Sequence, residues 1–164
     1  MINISFIGMA ACGKSTIGKA VANKIGVSFV DTDLLIEQKH EATLEEIKNK
    51  YDYKFVRDEE EKVILSLTSS NRIISTGGSA VYSAKSMEHL KKFSKVIYIN
   101  TPLEIIMQRI DIGQKRGLAV PEGMSIPEIY SEREPMYQKY CEIILDGSKT
   151  IDQLVDETIK QLHE

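Results

Sequence analysis

Residues Gly8-Met9-Ala10-Ala11-Cys12-Gly13-Lys14-Ser15 fit the pattern G-x-x-x-x-G-K-[ST]. That pattern suits one task, holding nucleotide phosphates. The glycines let backbone N–H groups turn inward, the lysine reaches the β- and γ-oxygens, and the terminal hydroxyl ligates Mg²⁺. An apolar run at 2–7 leads in as a strand, and a helical pattern starts at Lys14. The helix adds the positive end of its dipole. Gly8, Ala10, Ala11, Cys12, Gly13, Lys14, Ser15 and Thr16 are therefore expected to bind ATP, with Ser15 on Mg²⁺. Cys12 sits near a helix N-terminus, where thiol pKa values tend to fall; its simpler role is that of a small filler.

Carboxylates come next. The run at 27–30 ends in Asp31-Thr32-Asp33. A spacing of two along extended backbone puts both carboxylates on one side. One can support the Mg²⁺ shell while the other takes a hydrogen bond from an acceptor hydroxyl; phosphoryl transfer needs positioning more than a strong base. Turn and N-cap chemistry is the competing use. After the strand at 72–75, Thr76-Gly77-Gly78 lets a ligand approach the backbone closely.

The chain holds 16 lysines but five arginines, Arg57, Arg72, Arg109, Arg116 and Arg133. Lysine serves a solvated surface, whereas arginine is preferred where a planar fork must hold a carboxylate or phosphate.

The elements that must position these groups follow from periodicity. Apolar β-prone runs lie at 2–7, 27–30, 72–75, 95–99 and 141–145. Helical patterns lie at about 14–25, 33–49 with a break, 53–68, 83–92, 102–111, 126–140 and 151–162. Alternation of this kind predicts an α/β domain with a parallel sheet covered on both faces. Ligands in such sheets bind at the carboxyl ends of the strands. Residues 112–127 break the rhythm with three glycines, two prolines, Lys115 and Arg116. A basic loop of that length reads as a functional lid.

The length of 164 residues fits one domain over 1–164. A net charge of −3 argues against nucleic acid as a partner. No apolar run approaches a membrane span. Two distant cysteines, Cys12 and Cys141, suggest a reduced, cytoplasmic chain.

Taken together, these residues resemble the shikimate kinase family over nearly the whole chain. The phosphate loop, Asp31-Thr32-Asp33, Arg57 to Glu60, Gly77-Gly78, Arg116 and Arg133 occur in the family's order and approximate spacing. The resemblance implies a three-layer P-loop kinase fold with a five-stranded parallel sheet, helices on both faces and a mobile lid at about 112–124. It implies an acceptor-binding region at about 32–60. Asp31 would support Mg²⁺, and Asp33 would hold the acceptor's hydroxyls. Arg57 and Arg133 would clamp a carboxylate, with Glu60 the acidic partner. Gly77, Gly78 and Ser79 would touch the acceptor, and Arg109 and Arg116 would meet the ATP phosphates. Lys14, Asp33 and Arg116 would carry catalysis. The acceptor would be a carboxylated polyol, shikimate by resemblance, and the chain a monomer. Base contacts are expected near 146–152.

Four departures stand out. Asp52-Tyr53 replaces Gly-Glu, Val56 replaces the Phe of F-R-x-x-E, Ser79 replaces a third glycine, and Arg116-Gly117-Leu118-Ala119 replaces R-P-L-L. They leave the charged machinery intact but bear on the acceptor pocket. A kinase of another small hydroxy acid or polyol, and a non-catalytic ATP-binding regulator, are the alternatives.

Overall fold

Five short runs rich in β-branched residues form β1 (Asn3–Ile7), β2 (Ser28–Asp31), β3 (Arg72–Ser75), β4 (Lys95–Asn100) and β5 (Ile143–Asp146). The computed structural model describes residues 1–111 and 118–164. The strands pair in the order β2-β3-β1-β4-β5, and all four pairings are parallel. Every residue of β1 is buried, as is the interior of β4. Central strands covered on both faces read as near-continuous apolar runs, and the two polar residues of β1, Asn3 and Ser5, are hydrogen-bonded to Ser69 and Ser94.

Parallel pairing forces crossovers, and right-handed crossovers fix which face each helix covers. The chain leaves β1 leftward for the β2 edge through α1 (Lys14–Ile25), then returns rightward from β2 through α2 (Thr32–His40), α3 (Leu44–Lys50) and α4 (Tyr53–Ser66). It continues rightward through α5 (Ala84–Phe93), α6 (Leu103–Asp111) and α7 (Ile126–Tyr140). Opposite directions of travel put α1 on one face and the later crossover helices on the other. The packing agrees: α1 meets the closing helix α8 (Ile151–Lys160), whereas α4 meets α5. The expected three layers and five strands are present.

Local chemistry sets the element ends. The predicted break within 33–49 falls at Glu41, in the left-handed region at φ 51°, and Thr43 caps α3. The strand expected at 141–145 instead spans Ile143–Asp146. Cys141 N–H donates to Tyr137 O at 3.0 Å, so the end of α7 consumes that residue before the ladder begins. A 3₁₀ turn at Ala80–Tyr82 follows the Gly pair and had no periodic signal.

Candidate active site

All five strands end on the same side, and their carboxyl ends surround a cavity of about 310 Å³. After β1 the backbone makes the turn that the glycine pattern requires. Gly8 and Gly13 have φ of 149° and 105°, and a methyl on Gly8 would stand 2.8 Å from Cys12 Sγ and 2.9 Å from Ile99 O. No side chain caps α1 at Gly13, which leaves the first-turn N–H groups open to an anion. Lys14 Nζ donates to Gly8 O at 2.7 Å and Met9 O at 2.8 Å. The ammonium is thus folded back over the loop that it serves. Thr101, after β4, donates to Cys12 O at 2.9 Å and pins the loop from the other side. Cys12 is buried, with its sulfur 3.7 Å from Lys14 Nζ.

β2 ends at Asp31, opposite Ser75 of β3. Asp31 divides its oxygens. Oδ1 caps α2 by accepting from Asp33 N at 2.9 Å and Leu34 N at 3.3 Å, while Oδ2 accepts from Ser15 Oγ at 2.6 Å. The capping use foreseen for this carboxylate is met, and its second oxygen is tied to the phosphate-loop serine. Ser75 Oγ lies 3.1 Å from Ser15 Oγ. Asp33 lines the cavity one helical residue further on. The three oxygens of Ser15, Asp31 and Ser75 are hard donors suited to Mg²⁺. Among the described residues there is no group of three or more His, Cys, Asp or Glu that could hold a metal. The arrangement fits an ion that takes its remaining ligands from phosphate and water.

After β3, Thr76 fastens to Phe6 O at 2.8 Å, and the Gly pair brings three side chains against the backbone. A methyl on Gly77 would stand 2.5 Å from Asp33 Oδ1 and 3.0 Å from Glu60 Oε2; one on Gly78 would stand 2.7 Å from an Arg133 nitrogen, Nη1. Only glycine admits this approach. Glu60 is buried and accepts at Oε1 from Thr32 Oγ1 at 2.9 Å and Gly77 N at 3.0 Å. Burial pushes its carboxyl well above the usual range, and Asp33 beside it adds to the effect. Next to it on α4, Glu59 is pulled the other way. Burial would raise it, but hydrogen bonds from Lys39, His40 and Lys62 overcome that and hold it at about 2.

The arginines gather around Tyr82. Arg57 lies over the Tyr82 ring at 3.7 Å and the Tyr53 ring at 4.8 Å, and its Nε donates to Ala119 O at 2.8 Å. Arg133 is 1% exposed, and its Nη2 has no hydrogen-bond partner. A buried guanidinium with an unused donor beside a cavity is suited to an anion. Burial lowers the proton affinity of Arg57; Tyr82 offsets this and Arg133 adds to it.

The structure brings the phosphate loop, Asp33, Gly78, Ser79, Arg109 and Arg133 onto one cavity wall, along with Val56. Arg57, Gly77 and Asp31 stand behind that wall and touch it through Ala119, Asp33 and Ser15. Arg109 donates to Ala11 O at 2.8 Å, beside the phosphate loop. Gly147, Lys149 and Ile151, within the segment expected near the base, also line the cavity. Arg116 and residues 112–117 of the expected lid lie outside the described residues. The rest of that segment begins at Leu118 and Ala119, which line the cavity; Ala119 is buried with Val56, Leu44 and Ile47.

Sequence reasoning missed Tyr82, Tyr137 and Thr32. Tyr137 donates to Gly78 O at 2.6 Å, and burial raises its phenol above the usual range. The first two lay outside every motif; Thr32 was overlooked between two aspartates. The departure Asp52-Tyr53 also gains an account. Asp52 caps α4 by accepting from Phe55 N at 2.7 Å, and Tyr53 supports Arg57.

Comparison with known proteins agrees with this geometry. The family model described as "Shikimate kinase" matches residues 10–163. A shikimate kinase of Clostridium botulinum (strain Eklund 17B / Type B) is 36% identical over 157 residues, covering 96% of this chain and 94% of that protein. One from Persephonella marina is 31% identical, with 99% of each chain covered. The structure of the Acinetobacter baumannii shikimate kinase in complex with shikimate superposes with a TM-score of 0.86 at 27% identity, covering 99% of this chain and 93% of that one.

Proposed function

The chain belongs to the shikimate kinase family, and on that premise we propose that it transfers the γ-phosphoryl group of ATP to a hydroxyl of shikimate, giving shikimate 3-phosphate and ADP. One observation carries the acceptor's chemistry: the buried, unpartnered Nη2 of Arg133, beside Arg57 and on the same cavity wall as the phosphate loop. A carboxylate supplies the two-oxygen acceptor that such a fork lacks.

The residues then divide the work. The open N–H groups of α1 and the loop would receive the ATP phosphates, with Lys14 turning from Gly8 O and Met9 O to the β- and γ-oxygens. Ser15 and Asp31 would hold Mg²⁺, directly and through its water shell, and the ion would neutralise phosphate charge. Asp33 would accept the hydrogen bond of the attacking hydroxyl and aim it at the γ-phosphorus. Arg57 and Arg133 would fix the other end of the acceptor. Gly77, Gly78 and Ser79 would let it lie against the backbone. Arg109 and Arg116 would meet developing phosphate charge. Residues 112–124 would act as the lid that excludes water from ATP. The Gly147 to Ile151 wall would take the base. Both cysteines are free, which supports a reducing, cytoplasmic setting.

A second reading has its own observation. Val56 and Ser79, two departures from the family pattern, both lie on the cavity wall. They favour a related carboxylated polyol as acceptor. Incubation with Mg²⁺-ATP and a panel of hydroxy acids, followed by ³¹P NMR of the products, tests both. Shikimate 3-phosphate as the dominant product supports the first reading; phosphorylation of another acid in its place supports the second.

A further inference from the structure

Two guanidinium groups held side by side, Arg133 buried and Arg57 half-buried, repel one another, and nothing in the motifs says what keeps them together before an acceptor arrives. Burial is the largest cause lowering the proton affinity of Arg57, and the charge of Arg133 works in the same direction. An empty clamp of this kind should spring apart unless a third group offsets the repulsion.

Tyr82 is that group by position and by chemistry. It closes the 3₁₀ turn Ala80–Tyr82 directly after the Gly pair and Ser79, and its N–H donates to Ser79 O at 3.1 Å. Its ring lies 3.7 Å from the Arg57 guanidinium carbon and 5.3 Å from that of Arg133. The negative face of an aromatic ring attracts cations at such distances. Its hydroxyl donates to Glu132 and accepts from Arg133 Nε at 3.4 Å. A phenol has one hydrogen and free lone pairs. Because Glu132 takes the hydrogen, the lone pairs are left for Arg133. One side chain thus presents a face to the first arginine and an oxygen to the second. Leucine offers neither, and phenylalanine offers only the face.

We propose that Tyr82 is a positioning residue for acceptor recognition, holding Arg57 and Arg133 in the geometry of a carboxylate clamp in the empty enzyme. The proposal rests on the reading that the acceptor carries a carboxylate. It assigns to a residue outside the family motifs a share of the affinity that the motif arginines express. Arg57 enters through its ring contact and Arg133 through its hydrogen bond, so the two halves of the device can be separated by substitution.

The test combines shikimate binding by calorimetry with steady-state kinetics on the full chain, for the wild type, Tyr82→Phe, Tyr82→Leu, Arg57→Lys and the Tyr82→Leu/Arg57→Lys double variant. Tyr82→Leu is expected to weaken shikimate binding and raise its KM about tenfold, and Tyr82→Phe about threefold. The KM for ATP stays within about twofold, because the partners of Tyr82 are Arg57, Arg133, Glu132 and Ser79 on the acceptor side. In the Arg57→Lys background the Leu substitution costs less than in the wild type, because residues acting as one unit are non-additive. A folded Tyr82→Leu protein with wild-type shikimate affinity, an equal rise in the KM for ATP, or strict additivity overturns the proposal. If Tyr82→Leu does not fold, Tyr82→Phe and its cycle with Arg133→Lys decide: non-additive weakening supports the hydroxyl's role, and unchanged affinity overturns it. Wild-type protein that binds ATP but not shikimate overturns the acceptor reading and the proposal with it. Wild-type binding with indifferent variants overturns the proposal alone.

Discussion

Ser15 Oγ donates to Asp31 Oδ2 at 2.6 Å, joining the last residue of the phosphate loop to the end of a strand two positions away in the sheet. The same carboxylate caps α2, which carries Asp33. The groups assigned to metal and to acceptor are therefore set by one side chain.

Asp31→Asn separates these duties. Asparagine caps a helix as well as aspartate does, so the melting temperature should move little. The lost charge should lower turnover about 10–100-fold and raise the Mg²⁺ concentration that gives half-maximal activity. Titrating activity with Mg²⁺ checks this; an unchanged Mg²⁺ requirement would restrict Asp31 to capping.

Lys14→Ala should cut turnover by about 10²–10³-fold, the usual cost of removing a preorganised group from the transition state of a transfer reaction. The loop should persist, because Thr101 and the Gly8 and Gly13 turns still shape it. Single-turnover kinetics with saturating ATP makes the comparison; near-normal turnover would remove the phosphate-loop assignment.

Gly78→Ala adds one methyl 2.7 Å from Arg133 Nη1 and 3.3 Å from Ala10 N. Arg133 is fully enclosed and must shift by several tenths of an ångström or more. Misplacement on that scale should raise the KM for the acceptor roughly 10-fold or more, and the milder contact with Ala10 N should raise the KM for ATP less. Parallel KM measurements for the two substrates read the split; equal effects on both would place Gly78 in general packing.

Adjacent carboxylates on α4 should give opposite pH dependences. Glu60 has a folded pKa raised from 4.5 to about 8, so the folded state keeps a proton that the unfolded state releases. That contribution is complete below the unfolded value and is lost as pH rises through about 8. Glu60→Gln keeps an oxygen for Thr32 and Gly77 N and never ionises. It should gain on the wild type between pH 5 and pH 9 by on the order of 3 kcal/mol. Glu59 is depressed to about 2, so its contribution is present above the unfolded value and lost as pH falls toward 2. Glu59→Gln should cost about 2 kcal/mol at neutral pH and progressively less in acid. Urea denaturation across pH resolves the two slopes; parallel slopes would refute the opposed environments.

The sequence made the strands and the phosphate loop legible because each rests on a local rule. Apolar runs of β-branched residues build buried parallel strands, and two glycines with four residues between them before Lys14-Ser15 leave the backbone one compact way to turn. Asp31 and Asp33 were legible because they follow a strand. What stayed hidden was set by tertiary contact. Tyr82 lies in a 3₁₀ turn without periodicity, and its partners Arg57 and Arg133 come from α4 and α7. The start of β5 was misjudged because hydropathy does not show that Cys141 N–H is taken by α7. Glu59 and Glu60 look alike in an acidic run, and only their neighbours separate them.

The central claim is that the Arg57–Arg133 pocket and the phosphate loop work on one reaction. ADP release with Mg²⁺-ATP, measured with and without shikimate in a coupled assay, tests it most directly. Release that rises many-fold on adding shikimate and saturates with it is the predicted result. ATP that binds but yields no shikimate-dependent ADP would contradict it.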